Sequence, residues 1–228
     1  MKYPILLLLA SMAIFSSCSR TFFYKPAANQ PERTEIIYTH GMPDLRAKTI
    51  DGDVAATLTT KGGSNFLNLN LAVFNLGDTF FTFEPELVKA YGYNKRGQRQ
   101  ELRVFTAREF IKRRNTKNAL IVGAVAAVAI TAAVASNSSN NRIERDNDFD
   151  DFNNFFFQPW FIINPQFNSA PYTPKDGLLR AHTLYEDEAL QGVVKIKKNT
   201  DYIDKILVEV PINGEFVKFV FKDKVRKF

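Results

Sequence analysis

The chain has a single cysteine, and its position gives it the clearest chemical role of any residue. Cys18 follows an uncharged apolar run of 11 residues, 5–15, and two serines. Such a run is typical of a secretion signal, because it is too short to cross a membrane as a helix. Small residues before a cleavage point are what a signal peptidase accepts. With no second thiol in the chain, an intramolecular disulfide is excluded, which leaves the sulfur for another kind of modification.

The residues Phe15-Ser16-Ser17-Cys18 resemble the lipobox of bacterial lipoproteins. The resemblance implies that the cysteine sulfur receives a diacylglycerol and that signal peptidase II removes residues 1–17. It also implies acylation of the new amino group, palmitate being one such acyl chain. Ser19, in place of aspartate, implies sorting to the outer membrane, where we expect the periplasmic face. The alternative is a plain secreted protein with an incidental free cysteine.

Other residues that could perform catalysis or bind metal do not form a recognisable set. His182 is predicted on the solvent face of a strand, and His40 in a loop. The acidic run 186–188 could in principle serve a glycosidase, but neighbouring acids in a turn usually point into solvent. Residues 146–157 begin like a calcium loop, yet they lack the glycine and the final glutamate that such a loop needs. We therefore predict no enzyme activity, no cofactor and no metal site.

Length and composition predict an ordinary folded protein. The chain has 228 residues, 45% of them apolar, and 30 basic against 24 acidic residues give a net charge of +6. This length supports a substantial core. The modest positive charge favours acidic surfaces but does not by itself indicate nucleic-acid binding, and we predict no nucleic-acid partner.

Two strand-rich segments, 46–106 and 177–228, are separated by an insertion, and residues 18–45 are predicted to be a lipid-anchored tether. Residues 66–75 alternate leucine or valine with asparagine, which predicts a half-buried antiparallel strand. Asn213-Gly214 predicts a hairpin in which Ile212 pairs with Glu215 and Ile206 with Phe221. That register makes one face wholly apolar and sets Glu209 opposite Lys218 on the other.

The insertion is predicted to begin with a helix over residues 107–136. Thr106 and Glu109 have the spacing of a capping box. Residues 119–135 are uncharged and rich in alanine, but the charge distribution around them opposes a membrane span, so we predict a helix packed on the protein, self-associating or lying along a membrane. Residues 137–176 are predicted to be a low-complexity loop. Candidate contacts with a partner or membrane are Arg113, Arg114, Lys117, Phe156, Phe157, Trp160 and Phe161.

The strand order and the closing hairpin resemble immunoglobulin-like domains of secreted bacterial lipoproteins. The resemblance implies an antiparallel β-sandwich interrupted by the helical and low-complexity insertion, and it carries no catalytic residues. We therefore expect a non-enzymatic envelope lipoprotein that scaffolds or binds an envelope protein. The alternative is a glycan-binding or adhesin-like module, in which the aromatic residues of the insertion stack on polysaccharide.

Overall fold

The computed structural model describes residues 21–39, 42–61, 64–116, 171–198 and 203–226. This part of the chain is mainly β and its strands pair antiparallel, as predicted, in an arrangement consistent with a sandwich or a barrel. The predicted signal segment, Cys18 and most of the insertion lie outside the described residues.

Strands from the two halves of the chain are intermixed in the structure. In order they are β1 (Thr21–Pro26), β2 (Thr34–Thr39), β3 (Met42–Lys48), β4 (Gly52–Lys61), β5 (Phe66–Asn75), β6 (Phe81–Phe83), β7 (Lys89–Tyr93), β8 (Arg99–Leu102), β9 (Val104–Phe105), β10 (His182–Leu184), β11 (Ala189–Lys197), β12 (Lys205–Ile212) and β13 (Glu215–Arg226). A 3₁₀ turn covers Pro85–Leu87, and residues 107–116 are helical.

Eleven of these strands belong to one sheet. Its path runs β8-β7-β12-β13-β1-β4-β5-β11-β9, with β3 joined to β4 and β2 joined to β3, while β6 and β10 pair separately. The two ends of the path, β8 and β9, are neighbours in the chain with only Arg103 between them. Strands from both halves of the chain therefore surround one apolar core in the described residues.

The N-terminal segment differs from its prediction. In place of a tether over residues 18–45, the chain forms β1 from Thr21 onward, which fills the gap between β13 and β4. Tyr24 and Leu45 are buried in the core. The physical reason is that β1 satisfies backbone groups on strands that would otherwise have an open edge. Strand β1 thus begins three residues after Cys18 in the sequence.

Strand β5 has the predicted bounds, but both of its faces are covered. Leu67, Leu69, Leu71 and Val73 are fully buried, as the alternation predicts. On the other face Asn70 is also fully buried. Its Nδ2 donates to the carbonyl oxygen of Thr57 over 3.3 Å. This bond offsets part of the cost of burying a polar side chain.

The hairpin has the predicted register. Ile212 pairs with Glu215 and Ile206 with Phe221, and Nζ of Lys218 lies 3.6 Å from Oε1 of Glu209. Both turn residues, Asn213 and Gly214, have positive φ angles of 42° and 85°. These angles match a type I′ turn, whose twist suits paired strands.

The helix begins where the capping box predicts. The Glu109 N–H donates to Oγ1 of Thr106 over 3.1 Å, and the Thr106 N–H donates to Oε2 of Glu109 over 3.2 Å. The structure describes this helix as far as residue 116, so the long helix predicted over residues 107–136 is not seen in the described residues. Residues 119–135 lie outside the described residues.

Candidate interaction surface

One end of the sheet gathers positive charge around the start of β1. The register pairs Thr21 with Lys61, Phe22 with Arg226 and Phe66 with Lys197, so these strand ends lie together. Strands β12 and β8 also begin on this side, and β7 ends there. We call this region the basic end; its cationic residues are Lys25, Lys61, Lys95, Arg96, Arg99, Arg103, Lys197, Lys198, Lys205 and Lys222. The acidic residues among these strand ends are Glu101 and Asp204.

The opposite end of the sheet is acidic. Its loops are tied together, since the Asn75 N–H donates to the carbonyl of Glu188, the Leu76 N–H to the carbonyl of Asp51, and Nδ2 of Asn213 to Oδ2 of Asp51. We call this region the acidic end; its carboxylates are Asp51, Asp78, Glu186, Asp187, Glu188 and Glu215. The cations nearby are Arg33, which pairs with Glu215 at 3.3 Å, Lys48, and Lys89, whose Nζ lies 5.2 Å from the ring centroid of Phe216. The protein is therefore electrically asymmetric along its strands.

Within the basic end, three lysines form a row across adjacent strands. Lys25 of β1 pairs with Lys222 of β13, and Lys222 pairs with Lys205 of β12. Directly opposed residues have Cβ atoms about 4.5–5.5 Å apart. We call Lys25, Lys222 and Lys205 the lysine row. Among the residues that the structure describes, none of the three forms an ion pair with a carboxylate.

Aromatic rings and an arginine extend the lysine row. Lys205 pairs with Tyr93, whose ring centroid lies 4.4 Å from the lysine Nζ. Tyr93 pairs in turn with Arg99, and the guanidinium carbon of Arg99 lies 3.7 Å from the ring centroid of Tyr91. Such stacking stabilises a cation without neutralising its charge. The row therefore remains positive across five strands.

The helix docks beside the same end. The Phe110 ring packs edge-on against Phe66, with centroids 5.3 Å apart, and Phe66 meets Phe105 at 5.6 Å. Nη2 of Arg103 lies 3.0 Å from Oε1 of Glu109. These contacts position the basic residues of the helix close to the strand ends.

Of the predicted contact residues, two are described. Arg113 is exposed, and its guanidinium carbon lies 5.6 Å from the Phe66 ring centroid; Arg114 is half-buried. Lys117, Phe156, Phe157, Trp160, Phe161 and Cys18 lie outside the described residues. The sequence prediction missed the lysine row. Extending the hairpin register by one pair would have found Lys205 opposite Lys222, but not Lys25.

Buried polar side chains form a second cluster, which does not converge on a site. Arg46 donates from Nε to Oδ2 of Asp53 over 3.1 Å, and Thr57 donates to Oδ1 of Asp44 over 3.1 Å. In the described residues Oδ1 of Asp53, Oδ1 of Asn70 and Oε1 of Gln191 have no hydrogen-bond partner. Asp53 and Asn70 lie four pairs apart along β4 and β5, about 13 Å. One small ligand does not reach both oxygens.

The residues considered for catalysis are held by ordinary structural contacts. The half-buried His182 ring stacks on Tyr172, with centroids 4.5 Å apart and planes 4° apart. Oε2 of Glu188 accepts the Tyr185 N–H over 3.0 Å. Two residues before His182, Arg180 forms a side-chain hydrogen bond with Asp176, which raises the pKa of Arg180. Across the described ranges no group of three or more histidine, cysteine, aspartate or glutamate residues could hold a metal ion.

In comparisons with known proteins, no family model, no curated protein and no solved structure matches the chain. In the described ranges no helix is long and apolar enough to span a bilayer.

Proposed function

We propose that this protein is a non-enzymatic lipoprotein of the cell envelope, anchored by acyl chains on Cys18, whose β-rich body scaffolds or binds an envelope partner. The sequence supports the anchor through the apolar run 5–15, the two serines and the single cysteine directly after them. We place it on the periplasmic face of the outer membrane. At the finer level we propose an immunoglobulin-like sandwich for the body, supported by the antiparallel pairing of both strand-rich halves around one core.

The observation that carries this proposal is the short distance between the anchor and the body. Strand β1 begins at Thr21. Three residues of fully extended chain span at most about 10 Å. An acylated Cys18 therefore leaves no long linker, and the basic end, where β1 begins, is the part of the body nearest the bilayer.

Replacing the cysteine tests the anchor. We expect Cys18→Ala to abolish metabolic labelling with palmitate and to release the protein from membranes washed in about 0.5 M NaCl, where charge-based adhesion is screened. Ser17→Ala is the matched control, because it keeps a small residue before the cleavage point, and it should leave labelling intact. Palmitate labelling that persists in Cys18→Ala would overturn the proposal.

A glycan-binding module is the second candidate, favoured by the clustered aromatic residues of the insertion sequence. Aromatic rings such as that of Trp160 stack well on sugars. Deleting residues 117–168 removes these rings but keeps the docked helix. Loss of retention on envelope polysaccharide, with protein partners in a pull-down unchanged, supports glycan binding. Loss of protein partners, with polysaccharide retention unchanged, supports the scaffold.

A further inference from the structure

We propose that the basic end is a second membrane contact, which binds the phosphate groups of anionic lipids through the lysine row. This inference rests on the proposed function, because the anchor at Cys18 is what brings this end to the bilayer. It adds a non-covalent, charge-dependent contact to the covalent one, and it fixes which way the body faces.

The first argument is distance. The start of β1 lies within about 10 Å of an acylated Cys18. The screening length of physiological salt is about 8 Å. The two lengths are comparable, so the basic end is the part of the body that can reach the negative potential of an anionic leaflet, with the lysine row four residues along β1 from its start and the acidic end a strand length further away.

The second argument is the uncompensated charge of the lysine row. Like charges placed directly opposite each other destabilise a sheet. Four residues along β12 and β13 this repulsion is avoided, because Glu209 pairs with both Lys218 of β13 and Lys89 of β7. No such acid faces Lys25, Lys222 or Lys205 in the described part of the chain. A phosphate group supplies the missing negative charge.

The third argument is the direction of the charge asymmetry. The lysine row, the strand-end cations and the docked basic helix share one end, and the carboxylates of the acidic end cluster at the other. An anionic surface attracts the first end and repels the second. The body is thereby oriented with the acidic end pointing away from the membrane and open to a partner.

The observations favour a lipid surface over a separate anionic polymer. The cations are spread over the ends of many strands, not confined to a groove, and the surface in reach of the anchor is that of the bilayer. A soluble anionic polysaccharide is therefore an outcome of the test and not part of the proposal.

The test uses the purified full-length Cys18→Ala chain and sedimentation with vesicles. Neutral phosphatidylcholine vesicles measure any insertion of residues 1–17, and phosphatidylcholine with phosphatidylglycerol measures the charge-dependent part. We expect binding to the anionic vesicles to exceed binding to the neutral ones and to fall to the neutral level in about 0.5 M NaCl. Equal binding to both vesicle types would overturn the inference.

A matched pair of triple variants localises the contact. K25Q/K205Q/K222Q should weaken binding to anionic vesicles on the order of 100-fold, since each lysine near a membrane contributes roughly fivefold. K48Q/K89Q/K175Q removes the same net charge from three exposed lysines outside the basic end and should bind like the parent chain. Equal weakening by both triples would show a net-charge effect and overturn the assignment.

Two further readouts separate the remaining outcomes. Thermal melts check folding, and if a triple variant fails to fold, the lipid and salt dependence of the parent chain still decides the question. Binding to dextran sulfate without binding to anionic vesicles would replace the lipid with a polysaccharide. Palmitate labelling without vesicle binding would overturn only this inference, whereas vesicle binding without palmitate labelling would overturn only the anchor.

Discussion

Two rows of charged residues cross the same hairpin and differ sharply in charge, although only four residues separate them along its strands. In the mixed row, Lys89, Glu209 and Lys218 lie side by side on β7, β12 and β13 with alternating charge. In the lysine row, Lys205, Lys222 and Lys25 lie side by side with the same charge. Both rows lie over one apolar interior that includes Val208, Phe219 and Phe221. The difference therefore does not arise from the fold, and it suggests that the lysine row meets an external anion.

The same contrast holds between the two ends of the sheet. The acidic end is a set of loops joined by hydrogen bonds, such as the one between Asn213 and Asp51 at 2.8 Å. The basic end consists of strand termini with cations that stack on rings. Asp51 is thus held by an internal contact, whereas the three lysines of the lysine row form no ion pair among the described residues, which is what a surface that meets an external anion requires.

The largest effect is expected in the interior that both rows share. Phe219 has no exposed surface, so Phe219→Ala should lower the free energy of unfolding by about 3–5 kcal/mol and disturb both rows together. Urea unfolding measures the change. Phe216→Ala is the control on the same strand, because Phe216 is 48% exposed and its loss should cost well under about 1.5 kcal/mol. Equal costs for the two variants would show that the rows do not rest on a common core.

Single substitutions in the two rows should change the free energy of unfolding by a smaller amount, and with opposite signs. Lys222→Gln removes like-charge repulsion and should raise the free energy of unfolding, while Lys218→Gln breaks the contact with Glu209 and should lower it. Each change is expected to be about 0.2–1 kcal/mol. Thermal unfolding at low and high salt measures both, and the two differences should shrink as salt screens them. Changes of the same sign in both variants would mean that the rows are not electrostatically different.

Local features could be predicted from the sequence because their partners are close in the chain. Asn213-Gly214 sets the hairpin turn, and the two-residue loop sets every later pair, including Glu209 with Lys218. Thr106 and Glu109 satisfy each other's backbone donors within one turn of helix. The alternation of residues 66–75 predicted the core face of β5, because successive side chains of a strand point to opposite faces.

Features that depend on distant strands could not be predicted. Thr21–Pro26 is short, ends in proline and resembles a tether, and it becomes a strand only because β13 and β4 flank it. Lys25 therefore enters the lysine row through a partner 197 residues later in the chain, Lys222. Asn70 was predicted on the polar face of its strand but is buried, and its amide donates to the carbonyl oxygen of Thr57 on the neighbouring strand. The two ends of the sheet carry opposite charge only after the register is known.

The sequence by itself determined the β-rich class, the hairpin, the helix start and the position of the cysteine, since each depends on interactions between near neighbours or on side-chain chemistry alone. The tertiary structure decided which strands are adjacent, and with that which charges face each other and which end holds the start of β1. The physical reason is that strand pairing is a long-range choice: it is set by the burial of a common core, and no short window of residues records it.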